Sequence, residues 1–269
     1  IKEELQTSKK NLTQRRIVTN DIDLENLKNG EIIVQIENFA FTSNNVTYGV
    51  AGEMMGYWQF FPTMNDPENI WGCIPMWGFA EIKYSNNKEL QVGERLFGYF
   101  PASNILTLKP IKISQKTFID GEEHRKELPP VYNNYIRLNN EDNYNKDNDN
   151  IRALLFPLHI TSFCLCDYLQ NENYLGAEQV IIVSASSKTA IGLAQGLQSE
   201  ERKPEIIGLT SKRNSEFVKS LNSYDQIYSY DDLSDININN SSVMVDMAGN
   251  REILGKLHSS LGNQMLKCI

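Results

Sequence analysis

Cysteine, histidine and long apolar runs are all scarce in this 269-residue chain. The four cysteines, Cys73, Cys164, Cys166 and Cys268, are scattered without the spacing of a disulfide framework, which is the usage of reduced intracellular thiols. The three histidines, His124, His159 and His258, follow no ligand spacing, so no metal site is expected. No stretch approaches the roughly 20 apolar residues needed to cross a bilayer, so membrane insertion is not expected. Positive charge is also in deficit: 26 Lys and Arg against 34 Asp and Glu leave a net charge of −8. That balance argues against a general nucleic-acid binder and leaves room only for local basic patches. A hydrophobic content of 41% and a charged content of 22% are those of a soluble globular protein, and the length suggests two domains.

Glycine is missing where a nucleotide-binding turn would most use it. Gln179–Leu197 reads QVIIVSASSKTAIGLAQGL. Val180–Val183 is a continuous β-branched run, the pattern of a strand buried on both faces. Ala190, Leu193, Ala194 and Leu197 then recur at helical spacing. Strand, small turn and helix form the first half of a dinucleotide-binding βαβ unit, in which pyrophosphate sits on the helix N-terminus. Here the turn runs Ser184-x-x-Ser187-x-x-Ala190, with serines in the glycine places. Ser187 is a candidate helix cap, and Ser184, Ser186 and Ser187 offer hydroxyls to phosphate. Lys188 adds a cation, and Thr189 completes an SSKT run that lacks both glycines of a P-loop. An ordinary strand-to-helix turn that binds nothing is the competing reading.

Before this centre the chain is rich in β patterns. A strand is expected near Arg15–Val18, and Glu31–Phe41 alternates with Ile32, Val34 and Ile36 on one face. Thr42–Pro62 reads as an irregular aromatic loop, lining a pocket or packing as a small core. Phe79–Tyr84 and Arg95–Tyr99 are strands around turns in Asn86–Gly93. Residues 112–150 are the least regular, ending in a polar tract with no apolar periodicity, and the domain boundary is placed near 145. Ile151–Leu169 is helical in composition, with Pro157 expected to break or kink it. After the central turn, strands are expected at Glu205–Leu209, Gln226–Ser229, Val243–Asp246 and Met265–Ile269, with helices through Phe217–Leu221 and Ile253–Leu261. Alternating strands and helices imply a doubly wound parallel sheet. That sheet stops unfinished, so a C-terminal segment is expected to be missing.

These features together resemble the medium-chain dehydrogenase/reductase superfamily. Val92-Gly93-Glu94-Arg95-Leu96 looks like its "vGdrV" turn, FPLHITSFCLCDYL like its helix beside the nicotinamide, and VDMAGN like its fourth Rossmann strand. NNVTYGVAGEMMGYWQFFP, the HRxxLPPVYN run and SASSKTAIGLA look more closely like an uncharacterised branch of it, known only as a domain of unknown function. The resemblance implies an α/β protein. Residues 1–145 would be a GroES-like β-rich domain with a family-specific insertion at 112–150, and residues 146–269 an incomplete Rossmann domain that binds NADP. It puts Thr161 near the nicotinamide. The zinc-binding members need a cysteine, histidine and acidic cluster that is absent here, so the expected relatives are zinc-independent quinone and enone reductases.

Thr210-Ser211-Lys212-Arg213 follows the second strand where NAD enzymes place an acidic residue, and two cations with two hydroxyls suit a 2′-phosphate. A solvated helix start is the plain alternative. Reduction of a conjugated carbonyl needs a neutral donor from the N-terminal half, for which the resemblance points to Thr42–Tyr57. Tyr48 is the first choice, Asn45 the second donor and Tyr57 the reserve. The expected function is NADPH-dependent hydride transfer to a small conjugated carbonyl or quinone. The alternative is a degenerate reductase fold serving as a structural subunit or nucleotide-sensing module. A homo-oligomer or membership of a larger complex is compatible with either. The expected location is cytoplasmic; because residue 1 is Ile rather than Met, a removed targeting peptide and an organelle such as the mitochondrion stay open.

Overall fold

Short strands of alternating polarity build the N-terminal unit, Ile1–Leu154, of this computed structural model, which describes residues 1–22, 27–200 and 203–269. Residues 23–26 of the polar opening stretch lie outside the described residues, as do 201–202. The elements are β1 (Lys2–Ser8), β2 (Arg15–Asn20), β3 (Ile32–Phe39), α1 (Ser43–Val50), β4 (Trp71–Gly72), β5 (Met76–Ser85), β6 (Arg95–Phe100), β7 (Ile105–Leu108), β8 (Pro110–Ile111), β9 (Thr117–Asp120) and β10 (Asn134–Arg137). β2-β1-β4 form one sheet, and a seven-stranded antiparallel sheet runs β7-β3-β5-β6-β10-β9-β8. Ile32, Val34 and Ile36 pack with Ala80, Ile82, Leu96, Phe100, Phe118 and Tyr135 into one apolar core. Gly78 lets β3 and β5 close on each other, since a Cβ there would lie 2.3 Å from the Asn38 carbonyl oxygen.

Two segments are more regular than their composition suggests. Thr42–Pro62 contains α1, which starts with a reciprocal cap: the Thr42 hydroxyl accepts from the Asn44 N–H at 3.3 Å, and Asn45 Oδ1 accepts from the Thr42 N–H at 2.6 Å. Asn stands where the usual capping box has Glu or Gln, and Asn, Thr and Gly are weak helix formers, so neither signal is visible in the sequence. Residues 112–150 contain β9 and β10, four-residue strands too short to show a period. Side chains hold this segment in place. Arg137 donates to Glu94 at 2.9 Å and to the Ser114 carbonyl at 2.8 Å.

The helix α2 (Asp149–Asn171) runs through the division between the units, with Pro157 inside it rather than ending it. The C-terminal unit, Leu155–Ile269, continues with β11 (Gln179–Val183), α3 (Lys188–Gln198), β12 (Glu205–Thr210), α4 (Ser215–Ser220), β13 (Gln226–Ser229), β14 (Ser242–Asp246), α5 (Arg251–Leu261) and β15 (Met265–Cys268). Its parallel sheet has the order β13-β12-β11-β14-β15, so the chain reverses direction across the sheet between β11 and β14. β11 shows why the apolar run is continuous. Val180 and Ile182 pack on one face with Leu169, Ala190, Leu193 and Leu197. Ile181 and Val183 pack on the other with Ile253, Leu257 and Leu261. Gly192 and Gly196 serve the packing of α2 on α3, because a Cβ at either would lie 2.8 Å from Ser162 Oγ or 3.0 Å from Cys166 Sγ.

Candidate functional site

The turn after β11 takes the shape that glycine usually supplies. Ser184 has φ of +65°, in the left-handed region, and the Ser187 N–H donates back to the Ser184 carbonyl at 2.8 Å. Ala185 is fully buried and pinned, donating to the Leu209 carbonyl at 2.9 Å and accepting from the Tyr224 hydroxyl at 2.9 Å. Ser187 caps α3, its Oγ accepting from the Ala190 N–H at 3.3 Å. The remaining first-turn amides of this eleven-residue helix face the turn, where the helix dipole favours an anion. The exposed Lys188 stands at its first position, and the Thr189 carbonyl accepts from the Ser162 hydroxyl at 2.8 Å.

The ends of the neighbouring strands converge on this turn. Thr210 is buried at the end of β12, its carbonyl accepting from the Tyr230 N–H at 3.0 Å. Ser211, Lys212 and Arg213 follow, and the Ser211 carbonyl accepts from the Asn214 N–H at 2.8 Å. Lys212 and Arg213 are exposed, and among the described residues neither they nor Lys188 pairs with an acidic group. Asn214 Nδ2 donates to Ser186 Oγ at 3.0 Å, joining this loop to the first turn. Tyr230 also reaches the turn. Burial raises its hydroxyl's pKa, and the nearby Ser184 opposes the rise. Asp246, at the end of β14, is spent on its own turn: its carboxylate accepts from Ala248 N–H at 2.8 Å and Gly249 N–H at 2.9 Å. Beside Lys188, a groove of about 260 Å³ is lined by Leu158, His159, Ser162, Ile191 and Gly192. Thr161 is exposed on α2 and donates to the Pro157 carbonyl at 3.1 Å.

The N-terminal unit gathers the three expected donors, with different freedom. Asn45 is 3% exposed, its oxygen in the α1 cap and its Nδ2 donating to the Pro75 carbonyl at 3.0 Å. Tyr48 is 7% exposed, its ring 4.6 Å from Tyr57 and edge-on to Tyr99 at 5.8 Å. Burial pushes the Tyr48 phenol up to about 12, and the neighbouring Tyr57 adds to the rise. Tyr57 shares its hydroxyl with Tyr132 at 3.3 Å. Tyr99 and Tyr132 lie 4.6 Å apart, both raised by burial and by the neighbouring phenols. Four phenols thus meet in one cluster, of which the sequence reading named two. Trp58, Gln59 and Pro62 line a separate pocket of about 470 Å³ with Lys9, Asp66 and Trp71.

Arg125 is the organising residue that no sequence pattern revealed. Its guanidinium donates to Asp120 Oδ2 at 2.6 Å, Asn133 Oδ1 at 2.9 Å and the Tyr132 carbonyl at 2.8 Å, and lies over the Phe61 ring at 5.0 Å. The only trace in the sequence is the HRxxLPPVYN run, which gives no hint that its arginine is buried. Among the described residues no group of three or more His, Cys, Asp or Glu side chains is placed to hold a metal ion.

The architecture recurs in solved structures. CurA from Vibrio vulnificus superposes with a TM-score of 0.61 at 12% identity, covering 99% of this chain and 70% of that one. TarJ from S. aureus, solved in complex with NADPH, gives 0.54 at 9% identity over 96% of this chain and 68% of that one. A mutant enoyl thioester reductase from Candida tropicalis gives 0.54 at 13% identity, with 98% and 72% covered. At such identities the likeness is one of fold, that of the medium-chain dehydrogenases and reductases. No curated protein sequence matches the chain. Residues 39–269 match a family model, and the chain belongs to that family, described as Protein of unknown function (DUF2855).

Proposed function

We propose that this chain is an NADPH-dependent, zinc-independent reductase acting on a small conjugated carbonyl or quinone. The observation that carries the reading is the pairing of a left-handed, amide-presenting turn at Ser184–Ser187 with Lys212 and Arg213, cations unpaired among the described residues, at the end of the adjacent strand. The residues fit the cofactor. The α3 amides and Lys188 suit a pyrophosphate, and Lys212 and Arg213 suit a 2′-phosphate, with no carboxylate on Ser211–Asn214 to accept from a ribose hydroxyl. A neighbour of the same fold, TarJ, is solved with NADPH. When bound, NADPH supplies the hydride. The protein's tasks are to orient the reactants, exclude water and provide a proton. Tyr48 and Tyr57 are the proposed donors, because a neutral phenol can stabilise a developing oxyanion without carrying charge into an apolar site.

The test is calorimetry of NADPH and NADH with the unmodified chain and with Lys212→Ala/Arg213→Ala. NADPH binding should fall, each charge-assisted bond contributing about 1.5–3 kcal/mol, while NADH binding holds. Equal losses for both would overturn the assignment of these cations to the 2′-phosphate. Stoichiometric zinc in protein prepared without chelator would overturn zinc independence. The burial of Tyr48 and the engagement of Asn45 favour a second reading, a nucleotide-sensing or structural subunit that binds NADPH without turnover.

A further inference from the structure

The serine hydroxyls of the phosphate turn are not free ligands waiting for an anion. Ser187 Oγ is taken by the α3 cap, and the Ser184 backbone is held in the turn, its carbonyl accepting from the Ser187 N–H at 2.8 Å. Ser186 is the exception in kind. Its Oγ accepts a hydrogen bond from Asn214 Nδ2 at 3.0 Å, and among the described residues no hydrogen bond uses its own proton. An accepting hydroxyl becomes a better donor, and with one lone pair fixed its O–H has fewer directions to point. Asn214 therefore sets where the Ser186 proton goes.

Asn214 also belongs to the cation loop. It closes the single turn Lys212–Asn214, held by its N–H on the Ser211 carbonyl, and the Lys212 and Arg213 side chains project from that same turn. β11 and β12 are parallel neighbours in register, with Val183 opposite Leu209, so the two segments leave the sheet side by side. The Asn214–Ser186 bond is the side-chain hydrogen bond that joins them.

We propose that Asn214 is a positioning residue that couples the pyrophosphate turn to the 2′-phosphate loop, so that a dinucleotide with a 2′-phosphate is held at both places together. The proposal rests on the NADPH reading above. A phosphate that fixes Lys212 and Arg213 fixes Asn214, and Asn214 then holds the Ser186 hydroxyl in its donating orientation. A ligand without the 2′-phosphate leaves the loop, and hence the hydroxyl, less ordered.

The test is a double-mutant cycle read by calorimetry with 2′,5′-ADP, which carries the 2′-phosphate and, in place of the pyrophosphate, its adenosine-side 5′-phosphate, and needs no turnover. One arm is Ser186→Ala and the other Lys212→Ala/Arg213→Ala. With Asn214 present, the loss from Ser186→Ala should be about three- to tenfold greater when the cations are intact than when they are removed, the size of one net hydrogen bond. With Asn214→Ala the two arms should become independent. Asn214→Asp repeats the test at constant side-chain volume, because it replaces the donor with an acceptor; it should also abolish the coupling. Independent arms in the Asn214 background, or coupling that survives both Asn214 variants, overturn the proposal while leaving the cations' role intact. No loss of 2′,5′-ADP binding on removing Lys212 and Arg213 overturns the NADPH reading and this coupling with it.

Discussion

Arg125 Nη1 donates to Asp120 Oδ2 at 2.6 Å, and the two side chains are only 1% and 2% exposed. The pair ties β9 to the segment that carries Tyr132, whose carbonyl accepts from the same guanidinium. Burying two charges costs desolvation that their attraction roughly offsets, but removing one partner strands the other. Asp120→Ala or Arg125→Met alone should therefore destabilise the fold by about 3–5 kcal/mol in urea denaturation. The double replacement should cost clearly less than the sum of the two. Additive losses would show that the pair is not the reason for the single-variant cost.

Gly78→Ala should destabilise by roughly 1–3 kcal/mol or more, because the new Cβ meets the Asn38 carbonyl at 2.3 Å and Phe39 at 2.7 Å. Neither neighbour can step aside. Asn38 presents backbone, and the register of β3 on β5 shifts between Ile36 and Asn38. Gly255→Ala, where a Cβ would meet nothing, is the control and should leave the unfolding midpoint unchanged or slightly higher. Equal effects at the two positions would refute the steric account.

The C-terminal unit was legible in the sequence because its signals are local and doubled. Val180–Val183 must be apolar on both faces, and the helix that follows repeats Ala190, Leu193, Ala194 and Leu197, all fully buried. The turn between them was legible in spacing but not in shape, since nothing in SASS tells that Ser184 adopts a positive φ. The N-terminal unit hid more. Arg125 looks like any surface arginine until Asp120, Asn133 and Tyr135 fold around it. Tyr99 and Tyr132 join Tyr48 and Tyr57 only through strand pairing and the short turn Pro130–Asn133 far along the chain, which no window of sequence contains.

The acid limb of stability should owe part of its slope to Asp225. Although burial opposes it, bonds from Lys203 and Gln198 and from the Ile206 N–H hold its pKa below the ordinary value. A carboxylate depressed in the folded state stabilises fully above its unfolded pKa, near 3.9, and loses that contribution as pH falls through the lower folded value. The stability gap between the unmodified chain and Asp225→Asn should thus be largest and flat above about pH 5 and shrink below pH 4. A gap that widens on acidification would have the wrong sign.

Tyr48 links the stability of the phenol cluster to its proposed chemistry. Burial raises its pKa from 10.0 to about 12, so at neutral pH it is a protonated donor. Its contribution to stability is present below the unfolded value near 10 and fades as pH rises towards about 12. Tyr48→Phe removes one oxygen, keeps the ring packing on Tyr57, and should flatten this alkaline loss of stability. In the reductase reading, the same replacement should lower turnover with NADPH and a quinone or enone by about 10²–10⁴ while calorimetric NADPH affinity stays unchanged. The pH profile separates this role from a packing role. A donor that remains protonated to about pH 12 puts no alkaline break in turnover between pH 7 and 10, so any break there should persist in the residual activity of Tyr48→Phe. Turnover of Tyr48→Phe within a few-fold of the unmodified chain would remove Tyr48 as the donor and leave Tyr57, through its bond to Tyr132, as the phenol to replace next.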